Sequence, residues 1–90
     1  MSNDPAYQVL MANADATKRG ALPMWTVYDR PKDHPHGFIA RLHEVKGAPI
    51  ATAMTVKGEL EAIRETFKRA GMIVIERDPK DDPKIVETWL

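Results

Sequence analysis

The sequence predicts an α+β domain of order (α)ββαββ, a four-stranded, mostly antiparallel sheet with one main helix packed on one face. Three observations carry that expectation. Val56, Leu60, Ile63 and Phe67 recur at four, three and four residues, the spacing that stacks side chains on one helical face. Gly71 follows, and only glycine takes the left-handed cap conformation at little cost. Met72, Ile73, Val74 and Ile75 then form an apolar, β-branched run of strand length.

Taken in order, residues 1–21 read as an N-terminal helix or flexible extension, and residues 22–90 as a single α+β domain. Asp4 before Pro5 suits a helix start, with Tyr7, Leu10, Met11 and Ala14 on one face and Gly20 as the stop. Met24 to Tyr28 alternates as a strand, with Trp25 and Val27 opposite Met24, Thr26 and Tyr28. The prolines, Gly37 and polar residues of 29–37 make a loop. Phe38 to Val45 is the second strand, with Phe38, Ala40 and Leu42 on one side and Ile39, Arg41, His43 and Val45 on the other.

Lys46 to Thr55 reads as a connection with a short extended piece at 50–54, and Thr55 as the cap of the main helix. Met72 to Arg77 and Lys84 to Leu90 supply two more strands around an Asp- and Pro-rich loop. In the last, Ile85, Glu87 and Trp89 face away from Val86, Thr88 and Leu90. Trp89 argues that this end of the chain is paired into the sheet, because disordered tails are poor in aromatics. The favoured spatial order is 2-1-3-4, with parallel pairing of the second and third strands as the alternative. One helix cannot cover four strands, so homodimerisation or docking of the N-terminal helix is expected to cover the remainder.

Composition narrows the function classes. Lysine plus arginine number 13, as do aspartate plus glutamate, and the balance holds in each half of the chain. A binder that neutralises phosphates usually carries a basic excess, and here there is none. No cysteine is present, which removes disulfides and thiolate catalysis and fits a reducing cytoplasm. No apolar stretch has the length of a membrane span, and the first residues lack a signal-peptide pattern. The expected setting is therefore cytoplasmic.

Two segments resemble a group of small hypothetical proteobacterial proteins. They are Trp25-Thr-Val-Tyr-Asp-Arg-Pro31, followed by Gly37-Phe-Ile-Ala-Arg41, and the ending Asp81-Asp-Pro-Lys-Ile-Val-Glu-Thr-Trp-Leu90. The resemblance spans about residues 24–90 and implies a bacterial origin; it implies no activity and no site residue.

Few constellations suggest chemistry. Asp33, His34 and His36 could offer metal ligands, but Pro35 separates the histidines and no helical ligand spacing occurs. Asp78, Asp81 and Asp82 lack the glycine and glutamate of a calcium loop. Ser2 is the sole serine, no base is placed beside a threonine, and no glycine-rich phosphate loop is present. The expectation is a non-catalytic protein without cofactor, acting through contacts with a protein partner or with itself. Trp25, Tyr28, Phe38 and Trp89 are the candidate anchors, since tryptophan and tyrosine are enriched at hot spots. One alternative is weak single-stranded nucleic-acid binding, in which Tyr28, Phe38 and Trp89 stack bases while Arg30, Lys32 and Arg41 meet phosphates. The other is metal binding at the 33–36 loop.

Overall fold

The computed structural model describes residues 3–32 and 34–90. Asp4 opens the first helix, α1 (Pro5–Lys18), by accepting a hydrogen bond from the Ala6 amide at 3.0 Å. Pro5 sits at its start, where no backbone donor is needed. The helix closes at Gly20, whose φ of +77° lets the Ala21 amide reach back to the Ala16 carbonyl. Its buried side is Ala6, Val9 and Ala16, which corrects the predicted stripe: Tyr7, Leu10, Met11 and Ala14 face outward. Asn13 belongs on that inner side because it accepts a 2.8 Å hydrogen bond from the Trp25 indole.

The sheet has five strands rather than four. They are β1 (Leu22–Asp29), β2 (Phe38–Lys46), β3 (Ala48–Gly58), β4 (Val74–Glu76) and β5 (Ile85–Trp89). Their order is β3-β2-β1-β5-β4 and every neighbouring pair is antiparallel. The added strand, β3, occupies the segment expected to be a connection and the start of a helix. Gly47 turns the chain between Lys46 and Ala48, and Thr55 and Val56 pair with Arg41 and Ala40 instead of entering a helix. The β-branched residues Ile50, Thr52, Thr55 and Val56 suit that ladder. A bulge between Arg41 and His43 is closed by Thr52, whose hydroxyl donates to the Leu42 carbonyl and accepts from the Met54 amide.

The second helix, α2 (Leu60–Arg69), therefore begins later than predicted, behind Glu59 rather than Thr55. Val56 and Leu60 both pack on the core, one from a strand and one from the helix, so their helical spacing misleads. The Gly71 stop is as expected: its φ is +76°, and the Met72 amide bonds the Phe67 carbonyl at 3.0 Å.

The final hairpin enters the sheet in the opposite sense from the favoured order, placing β5 rather than β4 beside β1. Trp25 and Trp89 are directly paired across β1 and β5, and the Phe67 ring lies 5.4 and 5.5 Å from them. The longer strand thus brings the larger side chain to the centre. A bulge at Val27/Tyr28 sets Ile85 opposite Tyr28 and turns Val86 toward the core, correcting the simple alternation expected there. Both helices contribute to one cluster, with Val9, Ile63 and Phe67 against Trp25, Val27, Ala40, Leu42 and Trp89. Arg69 of α2 also pairs with Asp4, and the Ala6 amide followed by this guanidinium holds the Asp4 carboxyl below its ordinary 3.8. The main helix thus shares its sheet face with the docked N-terminal helix, one of the two covers expected from sequence.

Phe67 is completely buried, so Phe67→Ala should cost about 3–5 kcal/mol in equilibrium denaturation. A loss below about 1 kcal/mol would show that the ring is not wedged in this core.

Candidate functional site

Because α1 and α2 share one sheet face, the opposite face carries no helix among the described residues. Register defines its rows. Thr26 lies between Arg41 and Thr88, and Tyr28 lies between Ile39 and Ile85. Met24 faces His43, and Ile75 extends the Thr88 row to the far edge. Past the end of β4, Ile73 and Leu90 exchange both backbone hydrogen bonds, at 2.8 and 2.9 Å, so their side chains are neighbours on this face.

The face is uneven. Thr26 and Ile39 are buried within it, Thr26 beside the longer Arg41 and Ile39 between Tyr28 and Lys57. Arg41 donates to the Thr52 carbonyl at 2.8 Å. Tyr28 is half-buried; burial raises its phenol above the ordinary 10.0, the nearby Arg41 cation opposes that shift, and Asp82 adds to it. Toward β4 the surface becomes apolar and open: Ile73 is 71% exposed, Ile75 45% and Leu90 41%.

The predicted anchors divide between the two faces. Trp25 and Trp89 are buried in the core, and their indole N–H groups are taken by Asn13 and Glu87, each at 2.8 Å. Phe38 is half-buried against the same core. These three are corrected from interface to core residues, because the rings that look most available in a sequence are also those that gain most from burial. Tyr28 alone is on the helix-free face. The stacking platform of the nucleic-acid alternative is therefore not assembled there: it needs successive exposed aromatics, and Arg30 is engaged with Asp29 at 2.8 Å. Lys32 is an exposed loop residue.

Asp33 lies outside the described residues. The His34 ring rests over Gly37, where a Cβ would come within 3.3 Å of Nε2, and His36 is exposed. Among the described residues no group of three or more metal-ligating side chains comes together. On the helix side, Glu87 is a buried carboxylate, and Arg64 donates to it through Nε at 3.1 Å and Nη2 at 2.8 Å. Those bonds raise the arginine above its ordinary value. Arg64 also reaches Glu61 at 3.0 Å. Every oxygen of Glu87 is engaged in holding α2 to β5, so this group reads as a structural clamp. Beside it a shallow cleft of about 310 Å³ is lined by Lys68, Val74 and Glu76, together with Glu61, Arg64, Glu87 and Trp89.

The residues that sequence reasoning missed are Ile73, Ile75 and Leu90. An unbroken apolar run reads as a doubly covered strand, yet β4 has only three residues and neither face of it is covered. The Tyr7, Leu10 and Met11 stripe of α1, legible in the sequence, is a second exposed apolar set because it faces outward rather than toward the sheet. Among the described residues no helix is long and apolar enough to cross a membrane. No protein-family model matches the sequence, and comparison with curated proteins and with solved structures yields no significant match.

With Tyr7→Phe removing the other tyrosine, an ultraviolet titration should place the Tyr28 phenol above pH 10.0. The unfolded phenol ionises first, so folded stability should decline as pH rises past that point. A midpoint at or below 10.0 would contradict the burial of this ring.

Proposed function

We propose that this protein is a non-catalytic protein acting through protein–protein contact, and that its contact surface is the helix-free sheet face with the β4 corner. The carrying observation is the adjacent set Ile73, Ile75 and Leu90, exposed on a face that both helices leave bare. Contiguous apolar surface of this kind is costly in water and usually marks an interface. Tyr28 supplies an aromatic with a polar tip on the same face, the chemistry favoured at hot spots. Arg41 and Lys57 add positive charge, and His43 an imidazole, beside apolar and hydroxyl-bearing side chains. The partner class is another protein or a second copy of the chain, and a reducing cytoplasm suits a sequence without cysteine.

Site-specific photocrosslinking in the source cell tests this reading. A crosslinking residue at Leu90 or Tyr28 should give discrete protein adducts, and one at Glu65 on the outer surface of α2 should not. Equal yields from all three positions, or no adduct from the sheet positions, would refute it.

A further inference from the structure

Resting on that protein-contact reading, we infer that the partner is a second copy of this chain, joined edge to edge through β4 in an antiparallel pair with Ile75 on the two-fold axis. The backbone chemistry sets the geometry. Ile73 exchanges both hydrogen bonds with Leu90, and Ile75 faces Thr88 in the same register. By antiparallel alternation, the N–H and C=O groups of Val74 and Glu76 point away from β5, toward the open edge of the sheet. A strand presenting such a row accepts another strand.

The two sheet edges differ in how they are guarded. β3, at one end, carries Pro49, Lys57 and the bulge closed by Thr52. These are devices that discourage pairing. β4, at the other end, contains neither proline nor lysine. Its side chains Val74 and Ile75, on opposite faces, are each 45% exposed.

An isologous pair makes this edge complementary to itself. With Ile75 on the axis, Val74 of each chain lies opposite Glu76 of the copy, and their outward backbone groups pair on both sides of the axis. On the helix-free face the two Ile75 side chains meet, and Ile73 lies beside the stem of the copy's Arg77. On the helix side the copy's Glu76 enters the cleft lined by Val74 and Lys68. The charges match. Neither Lys68 nor Glu76 has an ion-pair partner among the described residues. Within its own chain Glu76 stands directly opposite another carboxylate, Glu87. Arg64 already neutralises Glu87, so the copy's Lys68 would supply the cation that Glu76 lacks within its own chain. A net charge of zero leaves no general repulsion between the copies.

Sedimentation velocity on the full chain across a concentration series tests the pairing. The native protein should reach a dimer. Val74→Pro removes only an outward N–H and should give a monomer with unchanged circular dichroism. Ile75→Lys should do the same with the backbone intact, by setting like charges on the axis. Lys68→Glu and Glu76→Lys should each raise the dimer Kd by about tenfold, and the double swap should restore it. A native chain that stays monomeric at every concentration overturns the inference, as does a folded Val74→Pro that still dimerises. Single swaps without effect, or a double swap that fails to recover, overturn the register. A monomer that still crosslinks from Leu90 to another protein defeats self-pairing and leaves the contact reading standing; a monomer without such crosslinks defeats both.

Discussion

The fold depends on Phe67 being held between two tryptophans whose indole N–H groups both have partners. The ring packs against Trp25 and Trp89, which are paired on adjacent strands at the middle of the sheet. Burying three large aromatic groups is a major apolar contribution for a chain of 90 residues. It is favourable only if the indole donors are satisfied, because an orphaned buried donor costs about 1–3 kcal/mol. Asn13 of α1 meets one and Glu87 of β5 meets the other. Glu87 is itself a buried charge, and Arg64 of α2 neutralises it. One aromatic cluster thereby fixes both helices and the two central strands, and no buried side-chain polar atom among the described residues lacks a partner.

That arrangement also decides what remains uncovered. Since α1 and α2 must both reach the Trp25–Trp89 pair, they lie on one face and toward the β1–β3 side of the sheet. β4 is left bare on both faces and along its outer edge, where Ile73, Val74 and Ile75 are exposed. The apolar surface proposed for binding is thus a consequence of where the core has to sit.

Sequence reasoning recovers whatever is local. The alternation of Trp25 and Val27 against Thr26 and Tyr28 is a two-residue period that neighbouring strands do not alter. Asp4–Pro5 and Gly71 mark helix ends through their own backbone chemistry. Non-local features were hidden. β3 was masked because Val56 keeps helical spacing with Leu60, although a strand and a helix deliver them to the same core. The place of β5 beside β1 depends on a tryptophan pair separated by most of the chain, which periodicity cannot register. The buried side of α1 is not legible locally because its key residue, Asn13, is polar and serves a distant indole. The same gap misled the site assignment: Trp25, Trp89 and Phe38 suggested anchors, and their burial follows from pairings that one strand's pattern does not contain.

Both helices close over a single aromatic cluster, leaving the other face and the β4 edge free. Hydrogen exchange at the two indole N–H groups, followed by NMR under native conditions, tests it most directly. Both should exchange only through global unfolding, with the free energy obtained from denaturation. Rapid exchange at Trp25 with protection retained at Trp89 would mean that α1 is not part of the core, and the account would fail at its first step.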